Sequence, residues 1–161
     1  MKSFTTKLNG SEFKIMRLND APIDNPELNV PELACDYLKQ RIYSSLRYNQ
    51  DTENFIVILL NTRKKPIGFE VISNGTLDTL LVHPREVFKP AIVLGAAAII
   101  IAHNHPSGDS TPSEADIKVT RDLIRAGQLL KIEVVDHIVL GVKTNENKGY
   151  SSLRELGYFY T

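Results

Sequence analysis

The segment that most constrains the fold is the apolar run Ile92-Val93-Leu94-Gly95-Ala96-Ala97-Ala98-Ile99-Ile100-Ile101, which leads directly into Ala102-His103-Asn104-His105. Its second half reads as a strand buried on both faces, and such a strand needs other layers on either side of its sheet. The run is too short to cross a bilayer and ends in histidines. It is followed by a polar Gly/Pro loop, Pro106-Ser107-Gly108-Asp109-Ser110-Thr111-Pro112, and then by Ser113-Glu114-Ala115-Asp116, which marks a helix start.

The spacing of these polar residues carries chemistry. Side chains at i and i+2 of a strand point to one side, so His103 and His105 can aim both imidazoles at one ion. Asp116, at the start of the next helix, would supply a third ligand. Three such ligands leave a tetrahedral zinc with one open position, as a catalytic site requires. Two plainer readings compete. Nearby histidines are often loop residues, and Ser113-x-x-Asp116 resembles a capping box that only satisfies backbone donors. The letters His-Asn-His do not make an HNH nuclease, whose three residues are spread over a ββα unit.

His103-x-His105, seven residues, Ser113, two residues and Asp116 together resemble the metal-binding signature of the JAMM (JAB/MPN-type) zinc metalloproteases. The surroundings are similar to the bacterial RadC-like JAB domain. They include Gly75-Thr76-Leu77, Val82-His83-Pro84-Arg85-Glu86-Val87, Ala102 to Asp109, and Asp136-His137-Ile138-Val139-Leu140-Gly141. The resemblance implies one zinc ion on His103, His105 and Asp116, with Ser113 stabilising an oxyanion. It also implies an upstream glutamate as general base on the activated water, and Glu70 is the residue matched to it. The activity implied is hydrolysis of a peptide or isopeptide bond in an unidentified substrate. A non-catalytic scaffold on the same fold, or a DNA-associated module, is the alternative, and a metal-dependent nuclease is a weaker one.

Glu70 also stands out on its own residues. It is a lone acid in the apolar run Pro66-Ile67-Gly68-Phe69-Glu70-Val71-Ile72, and a buried carboxylate needs a partner. An edge strand with Glu70 in solvent is the plain alternative. Glu86, behind Pro84, reads as first-turn helix chemistry. Asp136 and His137 interrupt another apolar run, and strand alternation sends them to opposite faces. Asp136 shares a face with Ile132, Val134, Ile138 and Leu140 on this reading. Its partner is either the free nitrogen of a ligand histidine or backbone. His137 reads as a packed histidine rather than a fourth ligand.

At 161 residues and 42% hydrophobic content, one core of good size is expected. Nineteen basic and nineteen acidic residues cancel, so net charge gives no support to nucleic-acid binding. Lys118, Arg121 and Arg125 read as a solvated helix face. A single cysteine, Cys35, and a start without a signal-peptide core suit a cytoplasmic protein with no membrane segment.

Two regions are expected: an N-terminal strand/helix extension over 1–50, and a JAB-type metal-binding domain over 51–161. The extension holds a strand at Glu12–Met16, a Pro-rich loop through Pro26, and a helix from Pro31 toward Ser45. It is too short for the helix-hairpin-helix region of full-length RadC proteins. Strands at 54–61, 66–72 and 76–82 follow and should be antiparallel. A helix then runs from Pro84 to about Leu94, and the strand to His103 comes next. A helix from Ser113 to about Ala126 should turn Ile117, Thr120 and Ile124 inward. A strand over 132–140 closes a right-handed βαβ unit, and 150–157 reads as a short helical turn. The fold class is α/β, a mixed sheet in a JAMM/cytidine-deaminase-like three-layer arrangement, with the ion at the carboxyl end of a central strand.

Overall fold

The computed structural model describes residues 3–8, 11–16, 26–43, 49, 51–75 and 82–160. In chain order these form β1 (Ser3–Leu8), β2 (Ser11–Met16), α1 (Pro31–Arg41), β3 (Glu53–Leu60), β4 (Pro66–Gly75) and α2 (Pro84–Leu94). They continue as β5 (Ala98–Asn104), α3 (Glu114–Leu130), β6 (Glu133–Leu140) and β7 (Tyr150–Ser152). The first two strands pair antiparallel as a two-stranded sheet, and β3 to β7 form one sheet in the order β4-β3-β5-β6-β7. Only β5 and β6 run parallel; the other neighbours are antiparallel.

The sheet is the middle of three layers. Ile56, Ile58, Ile100, Ala102 and Ile138 face one way and pack with Ala34, Leu38 and Ile42, brought by α1 and the residue that ends it. Val57, Leu59, Ile99, Ile101 and Val134 face the other way, against Val87, Phe88 and Ala91 of α2 and Leu123 of α3. All seven residues of β5 are buried, as the apolar run required of a central strand. The α/β class and the mixed sheet thus stand, and α1 covers one face of the same sheet that carries the βαβ unit.

Local signals place the helix ends. Pro31 and Pro84 occupy first-turn positions where a missing N–H costs nothing. Gly95 stops α2 in the left-handed conformation, at φ 64°. Ser113 caps α3 in a complete capping box with Asp116.

Three details differ from expectation. The inner stripe of α3 is Asp116, Thr120, Leu123 and Gly127, so Ile117 and Ile124 sit only at its margin. On β6 an irregularity opposite Ile99 and Ile100 pairs Ile99 with Val134 but Ile100 with Asp136. An extra residue of this kind breaks strict alternation. Val134 and Asp136 therefore lie on opposite faces rather than the same one. Residues 150–152 form a strand, because Leu140, Val139 and Ile138 offer their edge to Tyr150, Ser151 and Ser152. Turns follow only from 153 to 159. The expected strand at 76–82 and the Pro-rich loop before Pro26 lie largely outside the described residues.

One close approach fixes the loop that carries the second histidine. A Cβ on Gly141 would stand 2.4 Å from the Gly108 oxygen and 2.8 Å from the Ser110 nitrogen, so only glycine fits. The Val142 N–H donates to that Gly108 oxygen at 2.8 Å, and the His105 N–H donates to Leu140 O at 2.9 Å. The end of β6 thereby holds residues 105–110 in place.

Candidate metal centre

Antiparallel pairing of β3 with β5 sets Phe55 opposite His103, so Glu53, at the first position of β3, lies beside the carboxyl end of β5. Asn104, between the two histidines, points to the other face and locks this register. Its Oδ1 accepts from the Asn54 N–H and from Asn54 Nδ2, both at 2.9 Å, and its Nδ2 donates to Thr52 O at 2.9 Å. The start of α3 brings Asp116 in from the opposite side.

Glu53, His103, His105 and Asp116 each offer one ligand atom, and these atoms lie within 4.8 Å of one another. His103 Nε2 stands 3.0 Å from His105 Nε2, 3.3 Å from Asp116 Oδ1 and 3.9 Å from Glu53 Oε1. His105 Nε2 stands 3.6 Å from Asp116 Oδ2. Ligands about 2.0–2.1 Å from a tetrahedral zinc stand about 3.3–3.4 Å from one another, so the two imidazoles and Asp116 have the spacing of its edges.

Proton placement agrees with this spacing. His105 Nδ1 lies 2.7 Å from the Asp109 carbonyl, which can only accept. Nδ1 therefore carries the hydrogen, and in the neutral ring Nε2 presents a bare lone pair to the centre. The donor set and its geometry fit a divalent cation.

Electrostatics follow from the same contacts. Burial alone would raise the Asp116 carboxyl, but the imidazoles of His103 and His105 beside it outweigh burial and hold the group far below the usual carboxylate range. The neighbouring Asp116 carboxylate raises His105. Burial raises Glu53, with the two histidines opposing it. Burial pushes His137 well below its ordinary value, so its ring is neutral.

The residues singled out in the sequence fall into three groups. His103, His105 and Asp116 come together. Ser113 sits at their edge as the cap of α3. Its hydroxyl donates to Asp116 Oδ2 at 2.7 Å, and it accepts from the Asp116 N–H at 3.2 Å. Asp116 serves the helix cap through Oδ2 and faces His103 through Oδ1. Glu70 is not in the group. It is buried on β4 opposite Val57, with β3 between it and β5. Glu86 is exposed in the first turn of α2, as read.

Of the two partners weighed for Asp136, backbone is the one found, and His137 is packed as expected. It is His137 that meets His103: its Nε2 lies 2.8 Å from His103 Nδ1. Phe55 closes this corner, its ring within 7° of parallel to His103 and edge-on to His137. Asp136 faces the α1 layer and accepts from Ser152 Oγ at 2.6 Å, the His137 N–H at 2.7 Å and the Arg154 N–H at 3.2 Å. Burial still raises its carboxyl. Asp136→Ala should therefore cost about 3 kcal/mol, because the substitution strands buried donors. In thermal unfolding that is a fall of about 6–12 °C for a chain of this size. Metal affinity of the folded protein should not change.

Glu53 escaped the sequence reading, although a signal was present. Strand alternation from Phe55 through Val57 and Leu59 puts Glu53 on their face. Thr120 escaped as well, since a lone threonine on a helix carries no ligand signature.

The chain matches the RadC-like JAB domain over residues 28–158. It is 45% identical over 142 residues to the UPF0758 protein STH371 of Symbiobacterium thermophilum, covering 88% of this chain and 56% of that relative. It is 50% identical over 107 residues to the UPF0758 protein TTE0897 of Caldanaerobacter subterraneus, covering 66% and 44%. A UPF0758 protein of Moorella thermoacetica is 53% identical over 100 residues, covering 62% and 43%. The chain spans about half the length of these curated relatives. No helix among the described residues is long and apolar enough to cross a membrane. With its three-layer α/β fold and its Glu, His, His, Asp cluster, the chain belongs to the RadC-like JAB domain family.

Proposed function

We propose that the chain is a zinc-dependent hydrolase of amide bonds, a peptidase or isopeptidase, with His103, His105 and Asp116 as the ligands and Glu53 as the general base. The observation that carries this reading is the convergence of the two Nε2 atoms at 3.0 Å with the Glu53 carboxylate 3.9 Å from His103 Nε2. When bound, a divalent cation there supplies a Lewis acid that polarises the scissile carbonyl and makes a water more acidic. Two imidazoles and a carboxylate suit zinc.

The remaining steps belong to the protein. Glu53 takes the proton of the attacking water on Oε1 and passes it to the leaving amine as the C–N bond breaks. Its half-buried position, which raises its carboxyl, brings it nearer the range a base needs at neutral pH. Ser113 Oγ, exposed at the start of α3, turns its hydrogen from Asp116 toward the developing oxyanion. Phe55 and His137 keep the floor of the site dry.

The test is digestion of a library of peptides and lysine-linked isopeptides by the zinc-loaded chain, read by mass spectrometry. Cleavage that stops with a chelator and returns with zinc supports the reading. A chain that holds one zinc and leaves every bond intact overturns it in favour of a scaffold.

A further inference from the structure

His137 Nε2 lies 2.8 Å from His103 Nδ1, and His137 Nδ1 lies 2.6 Å from Thr120 Oγ1. Thr120 Oγ1 in turn lies 2.6 Å from the carbonyl oxygen of Asp116, one helical turn earlier on α3. The direction of each hydrogen follows from one fixed end. A carbonyl only accepts, so the Thr120 hydroxyl hydrogen points at Asp116 O. With that hydrogen used, Thr120 Oγ1 must accept, and His137 Nδ1 donates. The neutral His137 ring then offers a lone pair at Nε2, and His103 Nδ1–H donates to it. His103 is left with a bare Nε2, the atom that faces His105 and Asp116.

We propose that His137 and Thr120 are positioning residues, a hydrogen-bond chain from the Asp116 carbonyl that fixes His103 in the tautomer and orientation for coordination through Nε2. The chain closes a loop through three elements. Asp116 on α3 is tied to Thr120, Thr120 to His137 on β6, and His137 to His103 on β5. Two of the ligands thereby orient each other without touching substrate. His137 is fully buried, and Thr120 is too, so no water competes for these contacts. His105 is set separately, by the Asp109 carbonyl, which explains why it needs no such relay. This inference rests on the reading that His103 and Asp116 hold the ion.

Two measurements test it. The first is made on the metal-free wild-type chain by long-range ¹⁵N–¹H correlation of the histidine rings. The proposal expects the hydrogen of His103 on Nδ1 and that of His137 also on Nδ1. A hydrogen on His103 Nε2, or one on His137 Nε2, overturns it. The result holds whether or not the chain proves to bind metal, so failure of the relay and failure of the metal reading are told apart.

The second is the zinc dissociation constant, by competition with a chromophoric chelator, for Thr120→Val, His137→Phe and His137→Gln. Loss of an outer hydrogen-bond partner weakens metal binding by about 10- to 100-fold, and that loss is expected for Thr120→Val and His137→Phe. His137→Gln, whose amide oxygen can still accept from His103 Nδ1–H, should recover most of it. The cobalt-substituted forms report the same ordering in their visible ligand-field bands. Folded Thr120→Val and His137→Phe proteins with wild-type zinc affinity and cobalt spectra would overturn the proposal.

Discussion

Glu53→Gln is expected to lower amide hydrolysis by about 10²- to 10⁴-fold, the usual worth of a positioned general base. Zinc content should stay at one per chain. The amide keeps the shape and hydrogen-bonding reach of the acid but cannot hold a proton in transit. The loss should therefore appear in kcat, with KM little changed, the signature of an interaction made only in the transition state. Glu70→Gln is the control that decides between the two acids. Glu70 lies on β4, two strands away from the histidines, and Glu53 Oε1 lies 3.9 Å from His103 Nε2. Glu70→Gln should retain near-wild-type kcat in its folded form. The reverse result, an inert Glu70→Gln and an active Glu53→Gln, would move the base to β4.

The second large effect concerns the ion itself. His105 is the ligand least involved in holding the fold: its ring is partly exposed and is fixed by the Asp109 carbonyl. His105→Ala should therefore fold, and it should lose stoichiometric zinc. Ligand binding to the native state adds about 2.7 kcal/mol at a hundredfold excess over Kd. For a chain of this length that raises the unfolding temperature of wild type by about 5–10 °C. In His105→Ala the rise should vanish, while the metal-free unfolding temperature stays close to that of wild-type apoprotein. A zinc-induced rise that survives the substitution would place the stabilising ion elsewhere.

How far this was legible in the sequence depends on which contacts set each residue. His103 and His105 are related by strand periodicity, and Asp116 follows a helix start that Pro112 and Ser113 announce. Local rules suffice to bring these three side chains together at the end of β5. Helix ends at Pro31, Pro84 and Gly95 are local too. Glu53 and Glu70 are different. Each is an acid on an apolar strand, and nothing within either strand says which one neighbours β5. That choice is made by the order β4-β3-β5 and by the pairing of Phe55 with His103, both long-range facts.

Asp136 and His137 show a second limit. Alternation does place them on opposite faces, but the irregularity at Val134 and Asp136 reassigns which neighbours each face contains. The result is that His137, not Asp136, meets His103. Tyr150 to Ser152 read as helix because the residues alone favour no structure strongly. The open edge of β6 turns them into a strand. Thr120 gains its role only from being one turn beyond Asp116 and across from β6.

The most direct test is anomalous diffraction at the zinc edge from crystals of the zinc-loaded chain. One peak is expected, about 2.0–2.2 Å from His103 Nε2, His105 Nε2 and an Asp116 carboxylate oxygen, with Glu53 facing its open side. No peak at that point, or a peak whose ligands exclude either histidine, would contradict the account.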